Sequence, residues 1–219
     1  MLEIIALNVE DALAAAEGGA DRIELVGTMD SDGLSATVEQ VRQIRAACSI
    51  PIRAMVRDQA GFVPRDLGAL AQVGCDLRDA GAEALVIGWV RDGIFDHAAV
   101  HSFISRVGGC ELTIHRAVDN VADYAAGWRA ILGLPNVTSV LTAGSSAGVD
   151  TGMKNVLAQA ADPRIADLMM VGGGLRSEHL PTLKAAGIGK FHVGSAVRDS
   201  FDSPIDPLLV EKWVAAVRA

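Results

Sequence analysis

The chain has 219 residues, half of them hydrophobic and only 4% aromatic, with 23 glycines and a formal charge of −8. That length suits one domain with a sizeable core, and the acidic balance argues against partners such as nucleic acid or an anionic membrane. No apolar run approaches the roughly 20 residues needed to cross a bilayer, and the apolar start at residues 2–7 has no basic leader of the signal-peptide kind.

From the N-terminus onward one unit repeats: a short apolar run, a turn, then a helical pattern. Strand-like runs are expected at residues 2–7, 22–27, 52–57, 84–90, 111–117, 139–143, 168–172 and 190–195. The helical patterns between them fall at about residues 9–18, 37–47, 66–80, 96–107, 122–132, 151–161, 178–186 and 206–217. Asn8 is placed to cap the first helix. Gly18-Gly19, Gly81, Gly108-Gly109 and Gly187 stand where helices should end. The strands read as nearly continuous apolar runs, as in a parallel sheet covered on both faces. Eight even units predict a closed (β/α)8 barrel, the TIM-barrel architecture, as one domain over residues 1–219. A doubly wound open sheet is the weaker alternative, because no G-x-G-x-x-G follows the first strand.

In such a barrel the active face lies at the C-terminal ends of the strands. Strand two carries Glu24, strand three ends in Arg57, and strand five carries His115 and Arg116, with Asp119 just beyond. Strand six ends at Thr142-Ala143-Gly144-Ser145, strand seven at Gly172-Gly173-Gly174, and strand eight carries His192, Gly194, Ser195 and then Arg198. A charge on a strand covered on both faces is costly unless it points into a polar site. Glu24 is therefore a candidate functional carboxylate, its bland reading being an ion pair with Arg22 or Arg57. His115 is a candidate acid or base near neutral pH; a satisfied core histidine is the bland reading. The assigned catalytic set is Glu24, Arg57, His115 and Asp119. Arg116, Thr142, Gly173, Gly174, Gly194 and Ser195 form an expected anion-binding set, since glycine-rich turns after strands seven and eight are where many barrels hold phosphate.

Three cysteines, Cys48, Cys75 and Cys110, are odd in number and form no C-x-x-C pair. They are read as structural, and their pattern points to a reducing, cytoplasmic compartment. His97, His101 and His179 are read as surface residues on helices. Glu24, His115 and Asp119 are ligand types for a hard metal, but no fixed close spacing such as H-x-x-x-H marks a metal site.

At these residues the chain resembles the CutC family, the so-called copper homeostasis proteins. The resemblance rests on Glu17-Gly-Gly-Ala-Asp-Arg-Ile-Glu-Leu25, Ala54-Met-Val-Arg57, Thr113-Ile-His-Arg-Ala-Val-Asp119, Leu141-Thr-Ala-Gly144, Val171-Gly-Gly-Gly174 and Phe191-His192. It implies a TIM barrel, a link to copper handling and a polar pocket from Glu24, Arg57, His115, Arg116 and Asp119, but no reaction. Copper binding in the family has been attributed to two cysteines, at positions that here hold Ile5 and Val26. Two more segments depart from the family: Arg57-Asp58-Gln59-Ala60-Gly61 in place of Arg-Pro-Arg-Gly-Gly, and Val193-Gly194-Ser195-Ala196 in place of a Cys/Ala-Ser-Ala-Arg form. Copper is thus the only cofactor implied, by family name alone, and no thiolate site is seen. The competing expectation is a lyase, aldolase or isomerase acting on a small anionic or phosphorylated metabolite, with His115 as acid/base, Glu24 as second base, Arg57 as anion clamp and Asp119 orienting His115 or Arg116. A homo-oligomer is compatible with the chain.

Overall fold

The computed structural model describes residues 1–219, the Asp32 side chain excepted. Eight parallel strands close into a barrel in sequence order: β1 (Leu2–Ala6), β2 (Arg22–Leu25), β3 (Ile52–Met55), β4 (Ala84–Ile87), β5 (Glu111–Ile114), β6 (Val137–Thr142), β7 (Met169–Val171) and β8 (Lys190–Val193). The seam is made by β1 and β8, with Glu3 opposite His192.

Helices α1 (Val9–Glu17), α2 (Val38–Ala47), α3 (Leu67–Asp79), α4 (His97–Val107), α5 (Tyr124–Ile131), α6 (Val149–Ala160), α7 (Pro163–Leu168), α8 (Leu180–Ala185) and α9 (Pro207–Arg218) surround the strands. Their starts are set by caps that satisfy the first backbone N–H groups. Asn8 caps α1 as expected, Thr37 and Gln40 form a capping box on α2, and Asp66, Asp96, Asp123, Asp162 and Asp206 cap α3, α4, α5, α7 and α9. The outward strand residues pack with helix residues such as Trp128 and Phe103 into one apolar layer. Cys48, Cys75 and Cys110 are free and belong to that layer.

Two elements lie outside the expected alternation. Asp162-Pro163 starts the extra helix α7 before β7, because a capping Asp followed by Pro at the first helical position is a strong start. A two-stranded ribbon, Val90–Arg91 with Ile94–Phe95, follows β4. Its turn is Asp92-Gly93, both at positive φ, the conformation that a tight hairpin demands.

The barrel interior is more polar than continuous apolar strands would suggest. Glu3, Glu24, Arg53, Thr113, Ser139 and His192 are all buried. Strand alternation sends these side chains inward while Ile4, Ile23, Leu25, Ile52, Leu112 and Ile114 join the outer layer. The interior charges are paired across the barrel: Arg22 reaches Glu3 at 2.5 Å and Ser139 at 3.1 Å, and Arg53 reaches Thr113 at 3.0 Å and Glu111 at 2.8 Å. Such pairing is the condition under which buried charge is tolerated.

Candidate active site

At the C-terminal ends of the strands the barrel opens into a cavity of about 440 Å³. Glu24, Arg57, His115, Arg116, Gly173, Gly174, Gly194 and Ser195 all line it, together with His192, Met29, Met55, Phe62 and Phe201. Eight of the ten residues expected from the sequence are thus brought together. Asp119 and Thr142 are not on the cavity wall.

His115 closes β5. Its Nδ1 accepts from the Ala117 backbone N–H at 3.1 Å, so the ring proton sits on Nε2. Burial, with the Arg57 guanidinium as a second cause, pulls its pKa down to about 3. The ring is therefore a neutral donor at neutral pH. Phe62 packs against it at 5.6 Å between centroids, and the same phenyl ring lies 5.3 Å from the Arg57 guanidinium carbon. Arg57 donates to the Gly61 carbonyl through Nε at 3.2 Å and Nη2 at 3.0 Å, while its own backbone N–H is held by Ser35 at 2.8 Å.

Asp119 is a structural anchor. Its two oxygens accept from Thr142 Oγ1 at 2.5 Å, Ala143 N at 2.8 Å, Gly144 N at 3.0 Å and Arg116 Nε at 2.8 Å. Of the two roles expected for it, orienting Arg116 is the one the geometry supplies. Arg116 spans from Asp119 to the Ser145 and Ser146 carbonyls and lies against Gly173, where a Cβ would come within 2.9 Å of the guanidinium. Gly173 also has φ +86°, which disfavours any side chain. Thr142 is fully buried and receives the Tyr124 hydroxyl at 2.7 Å. It supports the wall without facing a ligand.

Glu24 is buried and lines the cavity. It is not paired with Arg22, whose Nε goes to Glu3. Glu24 Oε2 lies 3.7 Å from His192 Nε2, and Oε1 is buried without a hydrogen-bond partner. Burial lifts its carboxyl to about 7; the nearby Glu3 charge adds to that, and His192 acts against it. Behind it, His192 Nδ1 meets Glu3 Oε1 at 2.8 Å. For Glu3 burial acts upward, but Arg22 and His192 outweigh it and bring the carboxyl down to about 2.

His192 is expected at the active face from its place on strand eight, though outside the assigned set, whereas Glu3 is not expected there. Glu3 was hidden in an apolar run, although a lone acid there carries the same signal as Glu24. His179 also departs from expectation: it is buried, its Nδ1 accepting from Arg176 N at 3.1 Å and its Nε2 donating to Asp150 Oδ1 at 3.0 Å. It ties α8 to α6 away from the cavity. A second hollow, of about 660 Å³, opens at the opposite end among Arg22, Arg53, Arg78, Glu83 and Glu111. Its arginines already bond Glu3, Glu111 and Asp79.

A family model for CutC matches residues 1–197. The chain belongs to the CutC family. A CutC family protein from Klebsiella pneumoniae subsp. pneumoniae is 30% identical over 198 residues, covering 88% of this chain and 78% of that protein. A CutC crystal structure from Streptococcus agalactiae, described there as a copper homeostasis protein, superposes with a TM-score of 0.77 at 21% identity, over 89% of this chain and 98% of that one. The phosphoribosylanthranilate isomerase of Thermotoga maritima gives 0.66 at 15% identity, over 100% and 98%. At those identities the two structures speak to the barrel fold.

Around the cavity of this CutC protein the soft donors are the Met29 and Met55 thioethers. Ile5 lines the cavity, and Val26 packs in a small apolar cluster with Met55 and Val86. None of the cysteines is on the cavity wall. Among the described residues no group of three or more His, Cys, Asp or Glu side chains comes together in a way that could hold a metal ion. The donor set does not fit a copper centre built on paired thiolates. Nor, among the described residues, is any helix long and apolar enough to cross a membrane.

Proposed function

We propose that this CutC protein binds a small anionic metabolite in the cavity at the C-terminal end of the barrel, and that any part it takes in copper homeostasis does not run through a thiolate pair. The observation that carries this reading is that Arg57, neutral His115 with its Nε2–H, and the turns Gly173-Gly174 and Gly194-Ser195 all line one cavity. A fixed guanidinium and oriented donors in a concave, partly apolar site are what recognition of a carboxylate or phosphate needs. The aliphatic pair Ile5 and Val26, at the positions of the family's copper cysteines, supports the second half of the reading.

A further reading, proton transfer next to a carbonyl as in a lyase, aldolase or isomerase, draws on Glu24. A carboxyl lifted to about 7 beside a cationic site can take or give a proton at neutral pH. Calorimetric titration with inorganic phosphate and with glycerol 3-phosphate tests the binding reading. Saturable binding that weakens about tenfold or more in Arg57→Ala, the loss of one charge-assisted contact, is expected. No binding of either compound, or equal binding by Arg57→Ala, would sink it. Equilibrium dialysis with Cu(I) is expected to leave the purified protein without tight copper; tight binding would overturn the second half.

A further inference from the structure

A line of polar groups, all buried except the half-buried Arg22, runs inward from the cavity: Glu24, His192, Glu3, Arg22 and Ser139. The steps are 3.7 Å from Glu24 Oε2 to His192 Nε2, 2.8 Å from His192 Nδ1 to Glu3 Oε1, 2.5 Å from Glu3 Oε2 to Arg22 Nε, and 3.1 Å from Arg22 Nη2 to Ser139 Oγ. Its members come from β1, β2, β6 and β8, so the closed barrel alone brings them together. Other charged groups near this line are Arg53 on β3, opposite Glu24, and Lys190 on β8; Arg57 and His115 stand at the cavity.

The valences of this line fix where its protons sit. Glu3 is an ionised acceptor of two donors, Arg22 Nε–H and His192 Nδ1–H. The histidine therefore keeps its Nδ1 proton, and only Nε2 is free to change. That atom faces Glu24, which has one oxygen with no partner at all. His192 Nε2 and the Glu24 carboxyl, 3.7 Å apart, are then the neighbouring positions where a proton can sit, as imidazolium with carboxylate or imidazole with carboxylic acid when the pair holds one. The geometry points to Glu24 and His192 as one proton-exchanging unit that opens on the cavity, with His192 as the positioning residue that governs Glu24. The inference rests on the cavity being a ligand site, but the unit itself is defined without a ligand.

The chemistry follows from the charges. In the imidazolium–carboxylate form, Glu24 Oε2 takes a proton from a ligand O–H or an acidic C–H, and the bonding pair stays on the ligand. His192 retains its Nε2 proton and its positive charge, which offsets the new negative charge on the ligand. The reverse step returns the proton from Oε2. This end of the cavity therefore suits a ligand that brings a protic group to Glu24 while its anionic group lies toward Arg57. Burial acts to lower the His192 pKa, but its bond to Glu3 and the charges of Glu24 and Glu3 leave it raised.

The test is a pH titration of the intact protein, followed by side-chain ¹⁵N signals of His192 and the ¹³C carboxyl signal of Glu24, from about pH 5 to about pH 9. The expected result is that His192 Nδ1 stays protonated throughout, while Nε2 and the Glu24 carboxyl respond in the same steps. In Glu24→Gln, His192 should lose its proton at least about tenfold more readily, a shift of one pH unit downward. Titration at Nδ1, a Glu24 signal that moves independently of Nε2, or an unshifted His192 in Glu24→Gln would each overturn the inference. None of these readouts uses a ligand. Coupled titration with no phosphate or glycerol 3-phosphate binding would refute the ligand site and leave the unit standing; the converse would refute the unit alone.

Discussion

The side chains at the cavity have opposite consequences for stability as pH changes. His115 is held at about 3, far below its ordinary 6.5. A histidine depressed in the folded state stabilises the fold above its unfolded pKa, and that contribution is lost as pH falls through the interval between the two values. Glu3, brought down to about 2, loses its contribution only below 4.5. Glu24 runs the other way: its carboxyl is raised to about 7, so what it contributes is present at low pH and lost as pH rises through that value. Between pH 6.5 and 4.5 the two therefore oppose each other: as pH falls, His115 loses stability while Glu24 gains it. In His115→Gln, urea unfolding measured across that range should show stability that rises as pH falls, a slope changed from wild type by about one proton. An unchanged slope would mean that His115 is not held neutral by its surroundings. The residue scale also shows how far strand patterns reach. Glu24 and His115 stand out in the sequence as polar residues on covered strands. That His192 meets Glu3, 189 positions away, depends on how the last strand registers on the first, and alternation alone does not carry that register. Asp119 reads as catalytic beside His115 until its carboxylate is seen to be filled by Thr142, Ala143, Gly144 and Arg116.

Most elements are legible because their start signals are local. A capping Asn, Thr or Asp precedes an amphipathic run, and each strand is a short apolar stretch. The exceptions were legible in kind but masked by the strength of the repeat: Val90-Arg-Asp-Gly-Ile-Phe95 carries a hairpin turn, and Asp162-Pro163 carries a helix start. What no local signal carries is the contact between elements that fixes the site. The first turn of α6 lies so close to the end of β6 that a Cβ on Gly152 would fall 1.9 Å from the Ala143 carbonyl oxygen and 2.5 Å from the Gly144 carbonyl carbon. Both obstacles are backbone and cannot rotate away. Those same residues donate to Asp119, which in turn holds Arg116 against the glycine turn after β7. Gly152→Ala should cost about 3 kcal/mol of unfolding free energy, the upper range for forced overpacking, and should weaken anion binding through Arg116. Gly133→Ala, where nothing lies within 4 Å, is the matched control and should unfold within about 0.5 kcal/mol of wild type, as surface changes do. Denaturant unfolding of the pair settles whether the α6–β6 contact has this weight.

At the scale of the whole molecule, closure is what places Glu24, His192 and Glu3 side by side, and closure depends on the chain's two ends meeting. The β1–β8 ladder is short, three residue pairs from Leu2 with Phe191 to Ile4 with Val193. It is reinforced outside the ladder. Beyond β8, Arg198 donates to Asp11 of α1 at 3.0 Å and to the Ile5 carbonyl of β1 at 2.6 Å, and both Arg198 and Asp11 are buried. Asp11 also accepts from Leu7 N at 2.9 Å, so the pair clamps the turn leaving β1 to the segment leaving β8. Removing one partner of a buried ion pair leaves the other charge stranded, at a cost of about 3–5 kcal/mol, whereas neutralising both removes the stranded charge. Arg198→Ala should therefore be strongly destabilised in urea unfolding. Adding Asp11→Asn to it should cost less than the sum of the two single changes, because the asparagine can still accept from Leu7 while no charge remains to be solvated. Strict additivity would show that Arg198 and Asp11 act separately and that the seam is held by its ladder alone. The coupling should also reach the cavity, since Ser195, Ala196 and Phe201, on either side of Arg198, form part of its wall: in Arg198→Ala, phosphate affinity should fall alongside stability, and in the double variant it should recover in step with the fold.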